Sequence, residues 1–376
     1  MLKAGRAEEA RRHLEEALRL DPRLATAAYN RAGAQFDLGA LEAAQADFAT
    51  AGKLDILPVH YSRLVRNLKD RVDILLLQLA EHPDGGRYSL SSSCDYVHDL
   101  VADARVVIAE VNRQAPFTDA LIEASDIDFM VRTDYPPLSL SHQPPSPVNR
   151  RIAAHVAAMV GDGATLQFGL GATPECVASV LTDRRHLGLH TGVMSDAQMA
   201  LIQAGAIDNS LKPFDKGLSV AGGLLGSQAL LAFADHNPNI ALRPIGYTHD
   251  FRRIASMPSF TAVNSAIEVD LSGQANTESV GGRYLGAIGG AVDFSRAAHA
   301  SAGGLPIVAL TATAQGKDGA VTSRIVARLS GPATIGRADI GVIVTEHGAA
   351  DLRGLSLRER ARRLVAIADP RFQDKL

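Results

Sequence analysis

The 376-residue chain has no tryptophan, only two cysteines, and aromatics at 5%. Two isolated thiols exclude a disulfide framework and a CxxC metal pair, so Cys94 and Cys176 are expected as small buried groups in a reducing cytoplasm. An excess of positive charge is also missing. With 38 basic against 41 acidic residues the formal charge is −3, which excludes the broad basic field that nucleic acid or an anionic membrane requires. No apolar run approaches the ~18 residues of a bilayer span, and no basic start with a small-residue cleavage site marks a signal peptide. The expectation is a soluble cytoplasmic protein with small-molecule partners and no metal site. What is present is 46% hydrophobic residues and 33 glycines, a composition suited to tightly packed α/β layers, in a chain long enough for two or three domains.

The first segment repeats. A shift of 34 positions superposes Gly5 on Gly39, Ala10 on Ala44, Leu14 on Phe48, Ala17 on Ala51 and Asp21 on Asp55. That period is the tetratricopeptide one, with small residues where helices approach closely. One unit and a preceding half fall within residues 1–56, whereas about three repeats are needed for a stable array with a groove. This all-α stub is expected to dock on the following domain or to mediate self-association; binding of a protein partner is the other reading.

Beyond it, apolar runs alternate with helical patterns, which implies a largely parallel sheet. Strands are expected at Val72–Gln78, Arg105–Asn112 and Ile127–Val131, with a linker of Pro136-Pro137 and Pro144-Pro145-Ser146-Pro147 placing a boundary near 147. Further strands are expected at Thr165–Phe168, Leu187–His190, Leu218–Val220, Ala241–Pro244, Ala262–Asn264, Ile307–Leu310 and Ile340–Val344.

Two of these runs deliver glycine-containing turns, Gly169-Leu170-Gly171-Ala172-Thr173-Pro174 and His190-Thr191-Gly192-Val193-Met194-Ser195-Asp196. Glycines at a strand's carboxyl end let a ligand approach the backbone, and a helix starting there offers free N–H groups. Polar residues cluster at Asn264 to Asp270, Gln274 to Ser279 and Thr345 to Gly348, around a glycine set ending in Gly289-Gly290. Glu268 and Asp270, in an apolar context, are either used chemically or accept backbone N–H groups from neighbouring turns. His347 is read as a satisfied turn residue in preference to a base.

The order G-L-G-A-x-P, H-T-x-x-x-S-D, N-S-A-I-E-V-D-L-x-G-Q-x-N-x-E-S-x-G-G, I-G-G-x-V-D-F, S-R-I-V and V-T-E-x-G-x-A-D-L-R-G-x-S-L-R-E-R-A resembles the acetyl-CoA hydrolase/transferase family, especially its 4-hydroxybutyrate CoA-transferase branch, across about residues 57 to 376. The resemblance implies two CoA-transferase-like α/β domains, a truncated one over 57–147 and a second over 148–376, with the active site between them. It implies a coenzyme A thioester and a small carboxylate as substrates and no bound cofactor. Gly169, Leu170, Gly171, Ala172 and Thr173 would form the CoA and oxyanion loop, Gly289 and Gly290 would lie opposite, and Asn264, Glu268 and Gln274 would line the acyl pocket.

In such enzymes a glutamate attacks the thioester and then carries CoA to a second acid. Here Gly192 occupies the position of that glutamate, Ala197 that of the motif's closing glycine, and Ala287 that of another glycine. Three functions follow as expectations: hydrolysis of a short-chain acyl-CoA, with water in the space at Gly192 and Glu268 or Glu346 as general base; CoA transfer through another carboxylate; or binding of acyl-CoA without turnover.

Overall fold

A computed structural model describes residues 56–140, 144–281, 283–316 and 319–376. The repeat stub lies outside the described residues. The fold is mixed α/β with several sheets. In the first of the two largest, the strands Ile74–Glu81, Val106–Asn112 and Phe129–Thr133 run parallel, in the registers Ile74↔Val106 and Ile108↔Phe129. The short strands Arg87–Ser89 and Leu121–Glu123 extend its other side antiparallel. Alternation in Ile74–Glu81 puts Leu75, Leu77 and Leu79 in the core, while Leu76 points outward and is 73% exposed. Phe129 and Val131, at 62% and 57%, continue that open face.

The second sheet has the order Gly348–Asp351, Val342–Thr345, Leu305–Ala309, Phe260–Asn264, Thr165–Phe168, Gly188–Leu189. Only its first strand is antiparallel. Phe260–Asn264 and Thr165–Phe168 are buried at every position, as a central parallel strand covered on both faces requires. The expected strands are present, Thr165–Phe168 with the same ends and the others with at least one end shifted by one to three residues. One difference concerns Ala172 and Thr173, which belong to the helix Ala172–Ser179 and not to the turn before it. Gly171 caps that helix at φ +118°, a conformation that favours glycine.

A continuous hydrophobic cluster joins the two units, from Leu79 and Val111 to Phe168 and Met194. Backbone bonds stitch the seam. Cys94 N–H and Asp95 N–H both donate to the Gly222 carbonyl at 3.0 Å, Ile245 N–H donates to Asp95 O at 3.0 Å, and Tyr61 N–H donates to Gly289 O at 3.1 Å. Burial pushes the Cys94 thiol up to about 12 and raises that of Cys176, so both stay protonated, inert packing groups.

Candidate active site

Three strand ends and the loop before a helix converge on one cavity of about 440 Å³. Thr165–Phe168 ends at Gly169 and Leu170, and Phe260–Asn264 ends at Asn264 and Ser265. The turn after His190 brings Gly192, and the stretch before the helix Ala291–Ala300 brings Gly289 and Gly290. Tyr61 arrives from the first unit, and His249 from the end of the short helix Ile245–Thr248. Among the described residues lining it there is no carboxylate, lysine or arginine.

The floor is rigid. Gln167 and Asn264 exchange side-chain amide bonds, Asn264 Nδ2 donating at 3.0 Å and Gln167 Nε2 at 3.3 Å. A Cβ at Gly169 would lie 2.7 Å from Asn264 Oδ1, so glycine is needed there for close approach. The carbonyl of Gly192 accepts from Gly222 N–H at 2.9 Å and Gly223 N–H at 3.2 Å, fixing the turn against the junction of the short strands Ser219–Ala221 and Gly223–Leu224.

The structure thus brings together Gly169, Leu170, Gly192, Asn264, Gly289 and Gly290, and leaves other sequence candidates outside the cavity wall. Gly171, Ala172 and Thr173 start a helix. Glu268 Oε1 accepts from Asn276 Nδ2 at 2.9 Å, Ser330 N–H at 2.6 Å, Ser330 Oγ at 2.9 Å and Gly331 N–H at 3.3 Å. Asp270 accepts from Ser272 and Gln274, both backbone and side chain. Burial alone would raise the Asp270 carboxyl, but these bonds outweigh it and hold it below the ordinary range. Gln274 is thereby committed to Asp270 Oδ2 at 2.9 Å. Glu346 Oε2 accepts Ala312 N–H at 2.8 Å, and the His347 ring stands 3.9 Å from both Glu346 and Asp369. The Ser195-Asp196 pair is also architectural. Ser195 forms a capping box with Gln198 and donates to Glu175 Oε2 at 2.8 Å, while Asp196 accepts Ser227 N–H at 2.9 Å.

Sequence reasoning missed three residues. Tyr61 and Asp95 lie in the first unit, where nothing in their spacing points at the second. Tyr61 Oη donates to Asp95 Oδ2, while Asp95 Oδ1 is buried with no hydrogen-bond partner. Burial pushes the Asp95 carboxyl up to about 6, with the Tyr61 bond pulling the other way. Its folded-state proton affinity therefore exceeds the unfolded one. Stability from this group is fully present at low pH and lost as pH rises through about 6. Asp95→Asn keeps an acceptor for Tyr61 and a residue tolerant of φ +34°. It should stabilise the protein by about 2–3 kcal/mol at pH 7. Denaturant titrations should show that gain shrinking below pH 6 and vanishing near pH 4; a pH-independent difference would rule out the buried charge as its origin.

The third is His249, 3% exposed, whose ring packs on Phe294 at 4.5 Å and on Tyr61 at 5.1 Å between centroids. Burial first, then the nearby His190, push its imidazole down to about 3, so it is neutral at physiological pH. Among the described residues no cluster of histidine, cysteine and carboxylates suited to a metal ion occurs, and no helix is long and apolar enough to cross a membrane.

This arrangement has counterparts. Residues 226–376 match the acetyl-CoA hydrolase/transferase C-terminal domain. The chain is 37% identical over 340 residues to the 4-hydroxybutyrate coenzyme A transferase of Clostridium kluyveri, covering 88% of this chain and 78% of that one. The chain belongs to the acetyl-CoA hydrolase/transferase family. Among solved structures, RipA from Yersinia pestis superposes with a TM-score of 0.83 at 34% identity, covering 89% of this chain and 77% of RipA. The 4-hydroxybutyrate CoA-transferase from Porphyromonas gingivalis gives 0.75 at 30% identity, covering 92% and 88%. These matches establish the acetyl-CoA hydrolase/transferase fold over the described residues.

Proposed function

We propose that this member of the acetyl-CoA hydrolase/transferase family hydrolyses a short-chain acyl-CoA, of the acetyl-CoA or 4-hydroxybutyryl-CoA class, with no covalent glutamyl-CoA stage. The observation that carries this reading is the absence of any carboxylate among the described residues lining the cavity; the motif resemblance, which places the family's nucleophile at Gly192, supports it. With no carboxylate among the described residues that line the cavity, none of those residues can form the acyl anhydride that a covalent carboxylate mechanism of CoA transfer requires. The cavity otherwise suits a small acyl thioester. Its walls include Phe168, Leu170, Ile288 and Phe294 for an alkyl group, and Asn264 beside the glycine backbone for a carbonyl oxygen.

Incubating the purified chain with acetyl-CoA or 4-hydroxybutyryl-CoA, with and without acetate, tests the proposal by following free thiol and protein mass. The expected result is CoA release that acetate does not accelerate, with one ¹⁸O from labelled water in the product acid and no CoA adduct on the protein. Acetate-dependent exchange of label into acetyl-CoA would establish transfer instead. Binding of acetyl-CoA without release would establish a binding protein, with the repeat segment then the place to look for a protein partner.

A further inference from the structure

The imidazole of His249 stands in the space that a side chain at position 192 would enter. A Cβ at Gly192 would lie 3.1 Å from His249 Cε1 and 3.2 Å from Nε2, and a Cβ at Gly290 would lie 2.5 Å from Nε2. Glycine on both sides is what makes room for the ring. Its orientation is set from behind. Nδ1 is 2.9 Å from Thr248 Oγ1, which is in turn 3.5 Å from the Pro244 carbonyl oxygen. Satisfying both contacts requires Nδ1–H to donate to the hydroxyl and the hydroxyl to donate to the carbonyl. Nε2 is then left with its lone pair toward Gly290 and the cavity.

We propose that His249 Nε2 is the general base that delivers water to the bound thioester, from the space that a nucleophile at position 192 would need. This rests on the hydrolase reading above. Nε2 removes one proton from the water as its oxygen bonds to the thioester carbonyl carbon, and the carbonyl π pair moves onto oxygen. As the oxyanion collapses, the C–S bond breaks and sulfur leaves with the bonding pair. The sulfur then takes the proton from Nε2, giving the CoA thiol and restoring neutral imidazole. The new carboxylic acid releases its proton to solvent. The buried ring holds a proton poorly, so the imidazolium forms only in company with the oxyanion, and turnover is expected to be slow.

The test compares the full chain with His249→Gln and His249→Ala. Hydrolysis of acetyl-CoA should fall by roughly 100-fold or more in both, with acetyl-CoA affinity changed less than about threefold. Free imidazole should restore saturable activity to His249→Ala, a response that a purely structural role does not produce. For the wild-type protein, turnover in D₂O should be slower by about twofold, since a proton is in flight in the rate-setting step. Unchanged hydrolysis in His249→Gln, no imidazole rescue in an acetyl-CoA-binding His249→Ala, or no solvent isotope effect would each overturn the assignment. If the wild-type chain releases no CoA at all, the hydrolase reading has failed before the assignment of the base is reached. Wild-type release that survives in His249→Gln leaves that reading standing and removes only His249.

Discussion

Gly192→Glu alone should leave CoA transfer at assay background, as in the wild-type chain, whereas Gly192→Glu combined with His249→Ala should bring it to about two orders of magnitude or more above that background. Backbone strain is not the obstacle, because Gly192 is not among the residues at positive φ. The obstacle is the imidazole, 3.1 Å from the place of the new Cβ. The ring lacks freedom to yield, held by Phe294 at 4.5 Å, Tyr61 at 5.1 Å and Thr248 Oγ1 at 2.9 Å. Removing it opens space beside Gly290 for a carboxylate, and supplying a covalent nucleophile is worth several orders of magnitude in such chemistry. The two substitutions touch, so their effects should be strongly non-additive. Exchange of labelled acetate into acetyl-CoA, with a CoA adduct detected by mass, measures the gain. Equal exchange in the single and double variants would show that His249 does not obstruct position 192. The double variant should also lose the direct hydrolysis assigned to His249, so one protein reports on both roles.

Much of this site was legible because glycine turns at strand ends carry an unmistakable pattern. Thr165–Phe168 is a run of buried residues closed by Gly169, and the need for glycine there follows once Asn264 Oδ1 is seen 2.7 Å from its missing Cβ. The polar motif around Glu268 was harder to read. A buried carboxylate has the same sequence signature whether it performs chemistry or accepts N–H groups, and only the four donors on Glu268 Oε1 separate the cases. Short strands such as Arg87–Ser89 and Gly348–Asp351 escaped because they lack the apolar periodicity that marks longer ones. His249 escaped for a different reason. It is 57 positions from Gly192 in a segment without a motif, and packing alone brings the two together. The visible trace was the glycine at 192 itself, whose missing Cβ would lie 3.1 Å from the imidazole.

The arginine of the Ser323-Arg324-Ile325-Val326 motif should matter through the loops it ties, and Arg324→Met should destabilise the protein by about 2–4 kcal/mol while weakening acetyl-CoA binding. Arg324 Nε donates to Ile267 O at 2.7 Å, Nη1 donates to Thr311 Oγ1 at 2.8 Å, and Nη2 donates to Ala266 O. Its own backbone N–H donates to Ala312 O at 2.8 Å. These partners follow the carboxyl ends of two adjacent parallel strands, Phe260–Asn264 and Leu305–Ala309, so a single arginine ties the loop just beyond the cavity residue Asn264 to the loop just beyond Ala309. Burial lowers the proton affinity of that guanidinium, with Glu346 partly offsetting the effect. Glu346 in turn holds the Ala312 N–H at 2.8 Å. A motif glutamate that looks like a base is therefore part of the same clamp. Methionine fills much of the volume but leaves the Ala266 and Ile267 carbonyls without these donors, and each unpaired buried acceptor costs about 1–3 kcal/mol. Lysine keeps the charge without the planar fork, so Arg324→Lys should recover less than half of the loss. Denaturant titration and acetyl-CoA binding measured on both variants decide the point. Full stability in Arg324→Met would mean that the loops are held by the sheet alone, and weakened stability with unchanged affinity would separate the clamp from the site.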